Sequence, residues 1–424
     1  MKAEAVFVGA VAIVVLASGV AARSGQHAGH AEHESAPRPR LDNPGHRGPK
    51  AGASSTPTPA FDAAGRLWIA WVDDKHVFVS SSADRGRSFA AGTQVTREPE
   101  DIDANGESRP KIAIGTRGDV YVSWTRLGAE PFTGDIRFAR STDSGKTFSA
   151  PVTVNDDKLA TGHRFDSLHV NGSGDVYLAW IDKRDLVSAV SRGREYHGAA
   201  LYYARSTDRG QTFSPNHKIK DSVCECCRLA IDFDGLEPVV FWRDVIDGTV
   251  RDHGILRFVE PELPGPPRRV THDGWTIDAC PHHGPSLSIA EGTYHLAWFT
   301  GVGPEGSGVF YARSTDQGRT LSNPIRVTPA ETIQSGHAIV LSRGRDVFLA
   351  WKEFRKPVGM TLQAMRSKDS GETWSSPVTV AQTRGASDHP LLLTNGPAVY
   401  VSWFTADEGY RLMPVPHIAA SHSR

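Results

Sequence analysis

The feature that most limits what this chain can fold into is a short segment written five times. The copies are Ser82-Ala-Asp-Arg-Gly-Arg-Ser-Phe89, Ser141-Thr-Asp-Ser-Gly-Lys-Thr-Phe148, Ser206-Thr-Asp-Arg-Gly-Gln-Thr-Phe213, Ser314-Thr-Asp-Gln-Gly-Arg-Thr-Leu321 and Ser367-Lys-Asp-Ser-Gly-Glu-Thr-Trp374. The interval from Asp208 to Asp316 is about twice the others, so one unit lacks its copy. A second marker fills that gap. Apolar runs ending in tryptophan recur at Trp71, Trp124, Trp180, Trp242, Trp298, Trp351 and Trp403. Seven units result, each with room for four short strands in which β-branched and aromatic residues alternate as half-buried strands require. One such unit cannot bury its faces alone, and radial stacking of similar sheets solves this. The expected fold is all-β: a β-propeller of four-stranded blades, seven favoured and six the alternative. Within a unit, an inner strand such as Lys111–Ile114 precedes the tryptophan strand. A third strand such as Ile136–Ala139 leads through the repeated segment to an outer strand, Val152–Val154. The fourth unit has Glu260 to Pro267 in place of the segment. The seventh ends after Tyr410–Val415, a strand short, its outer strand either drawn from the N-terminal side or missing.

The pattern Ser-x-Asp-x-Gly-x-Thr-aromatic resembles the Asp box of sialidases and related propellers, and the resemblance covers roughly residues 57 to 416. The Asp and Ser side chains suit hydrogen bonds to local backbone, and the Gly suits a positive φ. The aromatic residue is expected to pack between neighbouring sheets. Five equivalent aspartates around a ring cannot share one active site, so the boxes read as turn staples on the third-to-fourth strand turns. The resemblance implies an exo-sialidase-like glycoside hydrolase or a glycan-binding propeller. Sialidases hold a substrate carboxylate with arginines and use a Tyr nucleophile with an Asp acid/base. Glu107-Ser-Arg109-Pro110 is similar to the family's Arg-x-Pro motif, which makes Arg109 and Arg228 the carboxylate-binding candidates and Asp166 the acid/base. No family motif surrounds Tyr196 or Tyr410.

Strand direction picks out one face, carrying the residues just before each inner strand and just after each tryptophan. The segments preceding the inner strands are Glu107 to Pro110, His163 to Asp166, Cys224-Glu-Cys226-Cys227-Arg228, Asp278-Ala-Cys280-Pro-His282-His283, Ser335-Gly-His337 and Asp388-His389-Pro390. All four cysteines of the chain fall at this level, in adjacent units. Thiolate and imidazole are ligands of copper, zinc and iron, and close cysteine spacing lets one loop supply several ligands. The expected site is a transition-metal site of Cys224, Cys226, Cys227, Cys280, His282, His283, His337 and His389, with copper favoured and zinc next. Its use would be metal handling or redox chemistry. The leader with His27, His30 and His33 would add a metal-capture tract. The competing reading is disulfide bonding, such as Cys226 to Cys280. Asp73, Asp74, Arg126, Asp182, Arg184, Arg243, Asp244, Lys352 and Glu353, which follow the tryptophans, read as a salt-bridge network between blades, the alternative being a polar floor for a sugar or other anion.

Charge narrows the partners. With 47 basic and 48 acidic residues the net charge is -1, which gives no field to attract nucleic acid or an anionic membrane. The expected partner is a small molecule, a glycan or a metal; the sequence does not set the oligomeric state. Lys2, the apolar run Ala5 to Val20 and the small residues up to Ala22 read as a signal peptide, residues 1–22. Residues 23–56 read as a His-, Pro- and Ser/Thr-rich linker, 57–416 as the propeller and 417–424 as a tail. The expected location is periplasmic or secreted, free of the membrane after cleavage.

Overall fold

A computed structural model describes residues 56–302, 306–329 and 334–415. The expected signal peptide, nearly all of the linker and the C-terminal tail lie outside these. The described residues form seven antiparallel sheets and one short helix, Arg184–Ser191. Blade one runs Thr58–Phe61, Leu67–Asp73, His76–Ser82 and Thr93–Gln94, each strand pairing with the next. Five more blades repeat this meander, the fourth with two short strands, Leu263–Pro264 and Arg268–Arg269, both paired to its third. Their inner strands are Lys111–Ile114, His163–Val170, Ala230–Asp234, Ser286–Ala290 and Ser335–Arg343. The seventh comprises Leu391–Asn395, Ala398–Thr405 and Gly409–Pro414, so among the described residues it has three strands. The inner strands neighbour one another in chain order, and the seventh meets the first. Phe61 lies 5.7 Å from Tyr400 and Phe89 lies 5.9 Å from Tyr410 across that junction. The ring closes at seven blades.

The strands beginning at Leu67, Val120 and Val176 are buried almost end to end, not on alternate residues. The half-buried expectation fails because each blade is sandwiched between two others, so both faces of a central strand meet protein. Six of the seven tryptophans are essentially inaccessible, and truncating one to alanine would cost about 3–5 kcal/mol. Each indole N–H needs a buried acceptor. Trp124 donates to Glu100, Trp180 to Asp182, Trp242 to Asp244, Trp298 to Asp273 and Trp351 to Glu353. Asp182, Asp244 and Glu353 therefore cap the tryptophan of their own blade and also form ion pairs, with Arg184, Lys220 and Arg355; the Lys220–Asp244 pair joins blades three and four, as the sequence leads one to expect. Arg126 pairs with Asp135 of its own blade, 2.5 Å away.

The repeated segments sit on the third-to-fourth strand turns. In each, the Ser hydroxyl donates to the Asp at 2.7 Å. The Gly N–H donates back to the Ser oxygen. The residue after each Asp also has a φ near +60°, so two consecutive left-handed residues make the turn. Donation from Ser88 and Thr147 hydroxyls holds Asp84 and Asp143 down at about 2. These carboxylates are consumed by their own turns. The aromatic residue reaches the preceding blade, as where Phe213 meets Phe138 edge-on at 4.9 Å. Blade four, which lacks the segment, fills that place with Phe258 from its third strand, 4.9 Å from Tyr203.

Candidate functional site

Two side-chain groups form where the segments preceding the inner strands converge. The first is centred on Glu107. Asn105 accepts the N–H groups of Glu107 and Ser108, and this turn presents the Glu107 side chain. Its Oε2 accepts the N–H groups of Arg228 and Gly284, both at 3.0 Å. Its Oε1 accepts Nη1 of Arg228 at 2.7 Å and lies 3.2 Å from Nδ1 of His337 and 3.5 Å from Nδ1 of His389. One carboxylate from blade two thus gathers loops leading into blades four, five, six and seven. It is 4 % exposed.

Above it the imidazoles stack in a column. Phe299 and His283 are 4.0 Å apart, His283 and His337 4.5 Å, and His337 and His389 3.4 Å, all within 29° of parallel. Glycines permit this closeness. A Cβ on Gly106 would stand 2.4 Å from the His389 ring, and one on Gly336 2.4 Å from the His283 ring. One on Gly284 would stand 2.2 Å from Cγ of Arg228. His337 itself sits at φ 53°, a conformation that costs a β-carbon-bearing residue on the order of 1 kcal/mol.

The electrostatics follow from burial opposed by partners. Burial works against the Glu107 charge, but the Arg228 guanidinium and the His337 N–H hold it well below the usual carboxylate range. Glu107 is ionised and fully engaged, so it serves neither as acid nor as nucleophile. Burial lowers His337 to about 4 and pushes His283 and His389 well below the usual imidazole value. All three are neutral at pH 7. A neutral His337 bonded to a carboxylate through Nδ1 carries its proton there and keeps the Nε2 lone pair free. Nδ1 of His283 and Nδ1 of His389 are buried without a hydrogen-bond partner. Lys352 donates to the carbonyl of Ser387, and burial lowers it to about 8.

The sequence-predicted catalytic residues fall around this group. Arg109 pairs with Asp388 at 2.7 Å and also donates to the carbonyls of Pro57 and Gly106. Arg228 pairs with Glu107. Asp166 is buried, raised by that burial, and takes the Ser123 hydroxyl at 2.5 Å. Tyr196 donates to Asp221, and Tyr410 packs on Phe89 of the first Asp-box turn, so neither stands beside Glu107.

The second group holds the cysteines. Sγ of Cys224 lies 2.9 Å from that of Cys227 and 3.7 Å from that of Cys226. Cys226 in turn groups with Cys280 and His282. Hydrogen bonding from Cys226 lowers the Cys224 thiol, and burial raises that of Cys227. The eight predicted ligands therefore divide. Cys224, Cys226, Cys227, Cys280 and His282 gather in one place, while His337 and His389 share the other with Glu107. His283 belongs to the imidazole column. Glu107 and Lys352 carry more of the site than the sequence assigns them; the available signal was their shared position at the strand ends.

No protein-family model matches this sequence, and no curated protein does. Solved structures are similar in fold. An ulvan lyase bound to a -[GlcA(1-4)Rha3S]- glycan matches with a TM-score of 0.56 and 14% identity, covering 88% of this chain and 94% of that one. An α-L-arabinofuranosidase from Fusarium graminearum in complex with an iminosugar inhibitor has a TM-score of 0.50 and 14% identity, covering 74% and 96%. A Hadza microbial sialidase matches at 0.48 and 15%, covering 83% and 77%. These likenesses are of fold alone, that of a seven-bladed β-propeller.

Proposed function

We propose that this protein acts on a carboxylated glycan at the mouth of the propeller, with the Glu107–His337 pair supplying a general base. The observation that carries this reading is the imidazole of His337, neutral at pH 7, hydrogen-bonded through Nδ1 to a buried carboxylate that is ionised at that pH. That arrangement fixes the tautomer and stabilises the imidazolium formed when Nε2 takes a proton. Lys352, charged at pH 7, supplies a cation for the substrate carboxylate, and the Arg228 guanidinium adds a second cation nearby. The unpartnered nitrogens of His283 and His389 offer further donors or acceptors to sugar hydroxyls. A fold shared with carbohydrate-active propellers, one of them bound to a uronate-containing glycan, supports the same reading.

The chemistry this favours is elimination. His337 removes the proton on the carbon bearing the carboxylate. That electron pair forms a carbon–carbon double bond, and the glycosidic oxygen at the β position leaves and takes a proton from solvent. Tyrosine-nucleophile hydrolysis is less supported, because Tyr196 and Tyr410 are engaged elsewhere. The test is incubation with uronate-containing and sialylated glycans, following ultraviolet absorbance of an unsaturated uronate and release of free sialic acid. The unsaturated product is expected, with kcat falling on the order of 100-fold or more in His337→Ala and KM little changed. No product from any carboxylated glycan, or turnover indifferent to His337→Ala, would overturn the proposal.

A further inference from the structure

We infer that Cys224, Cys226, Cys227, Cys280 and His282 form a binding site for one thiophilic, closed-shell metal ion, Cu+ or Zn2+, at the junction of blades four and five. Three sulfurs come from one four-residue stretch leading into blade four, and the remaining two ligands come from the loop leading into blade five. Cys226 belongs to both sets. It groups with Cys224 and Cys227 on one side and with Cys280 and His282 on the other.

The spacing of Cys224 and Cys226 suits a shared ion. Two sulfurs bound about 2.3 Å from a tetrahedral ion stand roughly 3.8 Å apart. Cys224 and Cys226 are 3.7 Å apart. The 2.9 Å between Cys224 and Cys227 is shorter than that, yet well beyond a disulfide bond of about 2.05 Å. Three of the thiols are buried while Cys280 is exposed, as is His282. The inner ligands are thus shielded, and the outer pair leaves a path for an ion to enter.

The scaffold is preset. The N–H of Cys224 donates to the carbonyl of Arg243, and that of Val245 to the carbonyl of Ser222, both at 2.8 Å. These bonds fix the cysteine loop to the end of its own tryptophan strand. Ser222 and His282 both hold left-handed backbone, at φ 61° and 51°. That conformation is uncommon away from glycine and tends to gather at functional sites. The chemistry is selective, since thiolates favour soft ions over calcium or magnesium, and several clustered thiolates are stable only with a cation among them. The bound ion would also pin the loop that carries His283, and so one end of the imidazole column.

The test uses the full chain, reduced and held under anaerobic conditions, titrated separately with Zn2+ and with Cu+ while thiol reactivity is followed. One equivalent of either ion is expected to protect all four cysteines from alkylation. Cys226→Ser should weaken binding at least ~100-fold and His282→Ala about 10-fold. Cys280→Ser, at an exposed position, tests the same site without touching the core and should leave at least one thiol fewer protected and the ion more weakly held. Thiols that stay reactive with both ions would overturn the inference, as would uptake unchanged in Cys226→Ser and Cys280→Ser. Glycan turnover is read separately, so a failure here is distinct from a failure of the proposed activity.

Discussion

Replacing Glu107 by glutamine removes one charge and almost no volume, which isolates what that charge holds together. The amide oxygen can still accept the N–H groups of Arg228 and Gly284. The amide NH2 then faces the Arg228 guanidinium and the His337 N–H, so donors meet donors. Removing one partner of a buried pair typically costs about 3–5 kcal/mol, and the retained backbone contacts place this case near 3 kcal/mol. For a domain of this size that is a fall in melting temperature of roughly 5 °C, extending the size trend. The pH dependence is more specific. The native Glu107 value lies below the unfolded value of 4.5. Its contribution is therefore fully present above that value and is lost as pH falls below it. Urea unfolding from pH 7 to pH 3 should give Glu107→Gln a shallower acid limb than the parent chain. A loss under about 1 kcal/mol at pH 7, or identical acid limbs, would refute the idea that this carboxylate is the hub of the mouth.

Other outcomes follow from the same geometry. Lys352 loses its proton as pH rises through about 8, so affinity for a carboxylated glycan should fall between pH 7 and pH 9, and Lys352→Met should remove that dependence; calorimetric titrations at the two pH values check both. His337 is protonated only as pH falls through about 4, so turnover should hold across neutral pH and decline in that acid range, as a pH–rate profile will show. Gly336→Ala, whose Cβ would press on the His283 ring, should disturb the imidazole column and lower turnover at least ~10-fold while the protein still folds, as circular dichroism can verify. Asp208→Ala removes the acceptor of four donors in a turn, so a scanning melt should show a lower midpoint while glycan binding is unchanged.

The fold was legible because its signals are local and repeated. Ser-x-Asp-x-Gly-x-Thr encodes a turn whose donors and acceptors lie within seven residues, and buried tryptophans count the blades. The third-to-fourth strand placement and the seventh blade both follow from that. Which residues meet at the mouth was less legible, since it depends on contacts between segments a hundred or more residues apart. Glu107 reaches His337 across 230 positions, and nothing near either residue announces it. Shared position at the strand ends was the available clue, and it gathered cysteines and histidines into one ring. It could not show that Glu107 would draw His337 and His389 to itself and leave His282 with the thiols. The acidic residues after the tryptophans were legible as ion-pair partners, and Asp182, Asp244 and Glu353 do pair with Arg184, Lys220 and Arg355. Their second task, accepting the buried indole N–H of the tryptophan two positions back, has no local signal in the charge pattern.

Selection of a carboxylated glycan by the mouth can be measured in a single comparison. A uronate oligosaccharide and the same oligosaccharide with its carboxyl groups reduced to alcohols are titrated against the protein at pH 7 by calorimetry. The account predicts that the acid form binds at least ~10-fold more tightly and that Lys352→Met abolishes the difference. Equal affinity for the two forms, or binding of neither, would contradict it.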